Sequence, residues 1–356
     1  MTSDEPYRTN ATPARLAERI RTARRLLVTT HQKPDGDALG SVLGIVRAAR
    51  ALGIAAEGWL VGPFEPNLLS LAAPTDLVLV DPKSPRLPPS AAEGEPDCIV
   101  IVDTGAWSQL EVLAPWLRER VERTIGIDHH ARGDRVAAER IVDVSAASAT
   151  VLVAQVVEAL GVSFASGASG AAGSIAEAIF LGLATDTGWF RFQNANPAAF
   201  ALAARLLDAG VDKNRLVEII ENSHRPERLA IEARALAKVR LIAGGSIALT
   251  TLSLADFAET GATLEETSGV VNMPMAVGSV RAAALLIESE APSAAAPGLV
   301  KISFRSKPAR DGARFVDVNE LAARFGGGGH VHAAGARIRA SLTEAERRIV
   351  EAIGTS

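Results

Sequence analysis

The residues of this chain best suited to chemistry are carboxylates and imidazoles on four separated stretches. They are His31, Asp35 and Asp37 in HQKPDGDALG, Asp103 in IVDTG, the run Asp128-His129-His130, and Asp186 in ATDTGWF. Taken singly, each has a plain structural role: an aspartate after a strand caps a helix or closes a turn, and a histidine pair can be a solvated loop. Gathered at one place, the same groups would repel and desolvate one another, costing several kcal/mol unless cations neutralise them. Convergence therefore points to metal binding. Mixed imidazole and carboxylate donors with no thiolate suit Mn²⁺, Mg²⁺, Co²⁺ or Zn²⁺, and the excess of oxygen favours Mn²⁺.

The elements that must position these residues are legible in the hydrophobic pattern. Leu26 to Thr30 reads as a buried parallel strand running into His31, and the apolar positions Leu39, Val42, Leu43, Val46 and Ala49 recur at helical spacing from Asp37 to Leu52. Further short apolar runs at Trp59–Val61, Leu77–Val80, Cys98–Val102 and Thr124–Ile127 predict strands, the last two delivering Asp103 and Asp128. Such alternation predicts an α/β fold, a mostly parallel sheet covered by helices, with ligands bound at the carboxyl ends of the strands. An amphipathic helix is expected over Ala14–Arg24, and a surface loop over the proline-rich Ser84–Pro96. Helices are expected over Ala149–Leu160, Ile175–Ala184 and Ala198–Leu207, with a flexible connection over Ser163–Ser174.

The charged, helix-prone stretch from Lys213 to about Arg240 suits a helix bridging two domains, which 356 residues lead one to expect. Beyond it, Val239–Ile242 and Ile247–Leu252 flank Gly244-Gly245 as a hairpin, and Val280–Ile287 and Leu299–Phe304 read as strands. The expected organisation is a catalytic domain over 14–221, a helical linker over 222–238 and a smaller mixed-sheet α/β domain over 239–354.

Net charge is −4, from 37 basic and 41 acidic residues, so no global positive field draws in long nucleic acid. The single Cys98 excludes an intrachain disulfide and fits a reducing cytoplasm. Neither a signal-peptide core nor an apolar run of the ~18 residues that span a bilayer is present, so a cytoplasmic protein with no membrane partner is expected.

HQKPDGDALGS, IVDTG, DHH and ATDTGWF, in this order, resemble the signature segments of the DHH phosphoesterase superfamily. FGGGGHVHAAG at 325–335 is similar to the GGGGH signature of its DHHA1 domain. Length and the short interval between the domains resemble the compact oligoribonuclease and adenosine-bisphosphate phosphatase branch. They do not resemble the longer RecJ-type exonucleases, and GGGGH speaks against the family's pyrophosphatases. The resemblance implies two divalent ions, one on His31, Asp35 and Asp103, the other on Asp37, Asp103, His129 and Asp186, with Asp103 bridging. Such a pair can stabilise both the attacking and the leaving oxygen of an in-line phosphoryl transfer to water. His130 would meet the scissile phosphate, and Asp128 would orient a histidine without touching metal.

In the second domain, Arg305, Ser306, Gly327, Gly328, Gly329 and His330 are the implied substrate contacts. Consecutive glycines let backbone approach a ligand closely and offer N–H groups to phosphate, although a flexible linker has the same composition. Six basic residues against three acidic between Lys301 and Arg324 make a small positive patch, in which Arg310 and Arg314 read as solvated. A small patch and 4% aromatic residues suit a short ligand better than long RNA. The implied substrates are oligoribonucleotides of a few residues, 3′-phosphoadenosine 5′-phosphate, and linear or cyclic adenine dinucleotides, handled by a homodimer. Hydrolysis of polyphosphate or pyrophosphate, and nucleotide sensing without turnover, are the competing readings. Arg191, His224 and His332 carry no assigned role.

Overall fold

The computed structural model describes residues 7–83, 94–167, 173–293, 296–308 and 316–354, the side chains of Pro66, His330 and Gly354 excepted. Most of the proline-rich stretch, the middle of the 163–174 connection, and Arg310 and Arg314 lie outside the described residues. The chain divides into two compact units, at Ser223/His224.

The first unit runs α1 (Pro13–Arg21), β1 (Arg25–Thr29), α2 (Gly36–Ala51), β2 (Ala55–Val61), α3 (Pro66–Leu69), β3 (Leu77–Val80) and β4 (Cys98–Val102). It continues through α4 (Ala114–Arg118), β5 (Thr124–Asp128), β6 (Glu139–Val142), α5 (Ala149–Ala159), α6 (Ile175–Asp186), α7 (Pro197–Asp208) and α8 (Lys213–Glu221). Its six strands form one sheet in the order β3-β2-β1-β4-β5-β6, and every pair is parallel. Strand side chains alternate between faces. Leu26, Val28, Cys98, Val100 and Val102 pack into the core beneath α1, α2, α5 and α6. Leu27, Ile99 and Ile101 pack with Trp59, Leu113 and Leu117 on the other side. Burial on both faces explains why β1 and β4 read as unbroken apolar runs.

Two topological facts place the site. The chain reverses direction across the sheet between β1 and β4, and such a switch point opens a crevice at the carboxyl ends of the strands. Helices α2 and α6 also pack unusually close, because glycines line their contact: a Cβ on Gly40 would lie 2.3 Å from the Ala178 carbonyl oxygen, and one on Gly36 would lie 2.3 Å from Thr185 Oγ1. The first turn of α2 is thereby held against the last turn of α6.

In the second unit, α9 (Pro226–Ala237), β7 (Arg240–Ile242), β8 (Ile247–Leu252), α10 (Leu254–Thr260), β9 (Ala282–Glu290) and β10 (Leu299–Ser306) precede α11 (Val318–Ala323), β11 (Gly328–His330), β12 (Ala333–Ile338) and α12 (Leu342–Gly354). The mixed sheet has the order β11-β12-β10-β9-β8-β7, with only β8 and β9 parallel. The bridging helix expected from Lys213 onward is in fact two helices, broken before Pro226, whose ring cannot sit inside a helix without removing a hydrogen bond. The stretch expected as a linker includes α9, which buries Ile231 and Ala235 in the core of the second unit. Among the described residues no helix is long and apolar enough to cross a membrane.

Gly40→Ala should lower the free energy of unfolding by about 3 kcal/mol, because the added methyl meets backbone and not a movable side chain. Urea denaturation measures it, and a loss under about 0.5 kcal/mol would show that α2 and α6 separate freely.

Candidate metal centre

Each candidate ligand sits at the end of an element of the first unit. His31 follows β1, Asp103 follows β4, Asp128 ends β5 and is followed by His129 and His130, Asp35 caps α2, Asp37 lies in its first turn, and Asp186 ends α6. The strands β1, β4 and β5 are neighbours, so three of these positions meet at one edge of the sheet.

Asp103 is at the middle. Its φ of +58° is rare for a residue with a side chain and turns the carboxylate out of the line of β4, while its N–H still donates to the Ile127 carbonyl at 2.9 Å. One carboxylate oxygen lies 3.4 Å from His31 Nε2, and the other lies 3.4 Å from His129 Nε2. His31 Nε2 is 4.0 Å from Asp35, and His129 Nε2 is 3.7 Å from Asp37 and 3.8 Å from Asp186. His31, Asp35 and Asp103 thus form one cluster with ligand atoms within 4.8 Å of one another, and Asp37, His129 and Asp186 form a second. Asp103 faces both.

Several observations of these residues fit cations. Asp103 Oδ1 is buried and has no hydrogen-bond partner among the described residues, a costly state for an oxygen unless a metal takes it up. Both histidines point Nε2 at carboxylates, while Nδ1 lies 2.9 Å from the Gln32 carbonyl in His31 and 3.3 Å from the Ala146 carbonyl in His129. A carbonyl only accepts, so Nδ1 carries a proton in each ring, which leaves Nε2 as the nitrogen that can offer a lone pair to metal once it has lost its own proton. Asp186 stands at the C-terminal end of α6, where the helix dipole disfavours a negative charge. Asp37, 1% exposed, accepts from the N–H groups of Ala149 at 2.6 Å and Thr150 at 3.0 Å, the start of α5, which holds its charge in place.

Without a cation the electrostatics pull these groups apart. Burial, reinforced by the charges of Asp103 and Asp186, raises the Asp37 pKa well above the carboxylate range. Burial also raises Asp186, to about 7, outweighing the opposing pull of His129, with Asp103 and Asp35 adding to the rise. For Asp103 burial works upward but His129 and His31 outweigh it, so its carboxyl is held below the usual range. Burial lowers His31, yet the Asp103 and Asp35 carboxylates outweigh it and raise the imidazole to about 10.

His130 forms a third group with Asp103 and His129, its ligand atom also within 4.8 Å of theirs, but its bonding differs. Its Nδ1 is 2.7 Å from Asp128 Oδ1, which also accepts from the backbone N–H groups of His129 at 2.8 Å and His130 at 3.2 Å. His130 Nδ1 is 3.9 Å from Asp103, but its bond to Asp128 commits that atom elsewhere. Nothing in the sequence marks Gly182, although a Cβ there would fall 2.6 Å from Asp37 Oδ1. Nor does anything mark Tyr7, whose hydroxyl donates to Asp128 Oδ2 at 2.5 Å, except that it is the chain's single tyrosine.

The DHH family N-terminal domain matches residues 25–183, and the DHHA1 domain matches residues 244–355. A Thermus thermophilus protein described as a bifunctional oligoribonuclease and PAP phosphatase, NrnA, is 32% identical over 92% of this chain and 89% of its own length. The chain belongs to the DHH family. A Streptococcus mutans protein described as a "probable bifunctional oligoribonuclease and PAP phosphatase NrnA" is 26% identical over 87% of the chain and 88% of its own length. In fold the chain matches an exopolyphosphatase-related protein from Bacteroides fragilis with a TM-score of 0.83, at 24% identity over 96% of this chain and 95% of that one.

The remaining sites expected from the DHH–DHHA1 resemblance lie in the second unit. Arg305, on β10, is half-buried, donates to the Phe304 carbonyl at 2.9 Å and has no carboxylate partner among the described residues, and burial lowers its pKa. Ser306 is buried, its hydroxyl 3.2 Å from the Val331 carbonyl and 3.1 Å from His332 Nδ1. Gly328 to His330 form a strand paired with β12, not a free loop. Gly327 and Gly329 are required by that pairing, since a Cβ would lie 2.1 Å from the Gly335 oxygen and 2.4 Å from the Ala333 oxygen respectively, whereas Gly328 meets nothing closer than 3.7 Å. The side chain of His330 is outside the described residues. Arg191 donates to the Gly188 carbonyl, and His224 lies 3.4 Å from Arg228.

Metal uptake by this cluster should be strongly pH-dependent. His31 and His129 are raised above neutrality and must lose a proton before Nε2 can bind, so uptake releases protons and affinity rises with pH. Calorimetric titration with Mn²⁺ in buffers of different ionisation enthalpy should show proton release at pH 7 and an affinity at least about tenfold higher at pH 8 than at pH 6. A pH-independent affinity would show that these imidazoles are not ligands.

Proposed function

We propose that this protein is a divalent-metal-dependent phosphoesterase that hydrolyses short oligoribonucleotides and 3′-phosphoadenosine 5′-phosphate. The observation that carries the reading is Asp103, with one carboxylate oxygen toward His31 and the other toward His129, so that two clusters share one bridging carboxylate. Family membership makes the chemistry phosphoester hydrolysis, and the names of the NrnA relatives support the substrate class.

His31, Asp35 and Asp103 would hold one ion, and Asp37, Asp103, His129 and Asp186 the other. The ions, Mn²⁺ by the donor set, would supply Lewis-acid stabilisation of charge developing on the phosphoryl group and activation of the attacking water. Asp35, the most exposed of the ligands at 63%, lies on the side open to substrate, while the buried Asp37 and Asp103 keep the ligand set rigid. His130, oriented through Nδ1 by Asp128, offers Nε2 to a phosphoryl oxygen, where a donor stabilises charge that grows in the transition state. Water attacks phosphorus and the bond to the nucleoside oxygen breaks, so one centre serves both a phosphodiester in RNA and the phosphomonoester of the bisphosphate. Arg305, which has no carboxylate partner among the described residues, would offer its guanidinium to a terminal phosphate of the substrate, with Ser306 next to it on β10 and the Gly327–Gly329 backbone against β12, the strand beside β10.

With Mn²⁺ the protein should release mononucleotide from a dinucleotide and stop when a chelator is added. Rates on dinucleotide, longer RNA, the bisphosphate, cyclic di-AMP and pyrophosphate should favour the dinucleotide and the bisphosphate. Binding of these ligands without release of product would sink the hydrolytic reading. Asp103→Ala should reduce turnover by at least about a thousandfold with unchanged circular dichroism. Arg305→Ala should raise KM about tenfold and leave kcat within about twofold, and an unchanged KM would remove the second unit's proposed grip.

A further inference from the structure

Tyr7 lies outside every expected element, yet it is more tightly built into the centre than several expected residues. The segment that carries it is pinned along the edge strand β6. The N–H groups of Asn10 and Ala11 donate to the Arg140 carbonyl at 3.0 and 3.2 Å, Arg140 N–H donates to Asn10 Oδ1 at 2.7 Å, and Val142 N–H donates to Thr9 Oγ1 at 2.8 Å. From this anchor the phenol ring enters a slot made by two glycines. A Cβ on Gly105, two residues beyond Asp103, would lie 2.0 Å from the Tyr7 hydroxyl, and one on Gly133 would lie 2.6 Å from the ring. No side chain larger than hydrogen fits at either position while the ring is in place. The Arg140 guanidinium lies 5.7 Å from the ring centroid.

The hydroxyl then donates to Asp128 Oδ2 at 2.5 Å. Asp128 is 1% exposed, and its other oxygen takes His130 Nδ1 and two backbone N–H groups. Without the phenol, Oδ2 has no donor among the described residues, and one side of the carboxylate is released. Burial, reinforced by the Asp128 charge, pushes the Tyr7 phenol up, so the hydroxyl stays protonated and acts as a donor at any working pH.

We infer that Tyr7 is a positioning residue of this centre: its hydroxyl fixes the Asp128 carboxylate from the side opposite His130, and so sets the orientation in which His130 meets the phosphoryl group. The inference rests on the hydrolytic reading above. Tyr7 touches neither proposed metal cluster through any hydrogen bond described, so it acts on turnover and not on metal loading.

Tyr7→Phe keeps the ring in its slot and removes only the donor. It should lower kcat about tenfold, a part of what an oriented proton-bearing group contributes, with KM, metal content and circular dichroism at wild-type values. In a cycle with His130→Ala, the Tyr7→Phe loss should vanish, because the two changes disable one relay. An unchanged kcat, a loss confined to KM or metal content, or losses that multiply in the double variant would each overturn the assignment. A second reading needs no variant at position 7. As the only tyrosine, Tyr7 gives a single resonance in protein carrying ¹³Cζ-labelled tyrosine, and Asp128→Asn should shift it. An unmoved resonance would overturn the assignment even if Tyr7→Phe failed to fold. Wild-type protein that turns over no substrate would instead sink the hydrolytic reading and this role with it, an outcome told apart because it appears before any variant is made.

Discussion

The four carboxylates and two imidazoles of the paired clusters cannot be packed at one edge of a sheet unless something holds positive charge among them, and the rest of the first unit is arranged around that constraint. Asp103 Oδ1 shows it most directly: a buried carboxylate oxygen without a hydrogen-bond partner among the described residues, 3.4 Å from His129 Nε2. The opposed pKa shifts of Asp37 and Asp103 express the same conflict. In a metal-free chain it is relieved by retained protons, and with cations it is relieved by ligation. Stability and function are in tension at this point, since the fold holds in place a set of charges that would otherwise separate.

The scaffold that maintains the set is notable for what it omits. Gly36 and Gly40 on α2 and Gly182 on α6 remove the side chains that would hold the two helices apart, and the close approach brings Asp37 from α2 and Asp186 from α6 to within 3.7 and 3.8 Å of the same His129 Nε2. Gly105 and Gly133 do the same for the phenol of Tyr7. Each omission exchanges local packing for a position that a polar group must reach, so these glycines belong to the site although none of them touches a ligand atom of both clusters.

Much of this was readable in the sequence because the signals were strong and local. Unbroken apolar runs at Leu26–Thr29 and Cys98–Val102 correspond to strands buried on both faces, and each ends where an aspartate or histidine begins the loop. The parallel sheet and the mixed second sheet follow from the same alternation. What was not readable depends on partners distant in sequence. Tyr7 sits in a polar stretch with no periodicity, and its role appears only when Gly105, Asp128 and Gly133 surround it. The break between α8 and α9 was available in Pro226, but the long charged pattern on both sides hid it.

The glycine run at 326–329 shows why composition alone misleads about a backbone. Four glycines describe a flexible tether as well as a strand, and the sequence has no periodicity there to separate the two. In the structure Gly327 and Gly329 are fixed by contact with the β12 backbone, the first by 2.1 Å and the second by 2.4 Å of available space, so the segment is constrained where it appeared most free. Gly326, with nothing within 4 Å of an added Cβ, and Gly328, with nothing closer than 3.7 Å, keep an open side. The run is thus divided by packing: Gly327 and Gly329 lie close against β12, the strand between β11 and the β10 that carries Arg305 and Ser306, while Gly328 leaves its backbone approachable. A short phosphate-bearing ligand needs a rigid surface with one close-approach point, since an ordered backbone pays little entropy when it binds. A flexible tether would have to be ordered by each ligand in turn, and a ligand of only two or three nucleotides has little contact surface from which to supply that ordering.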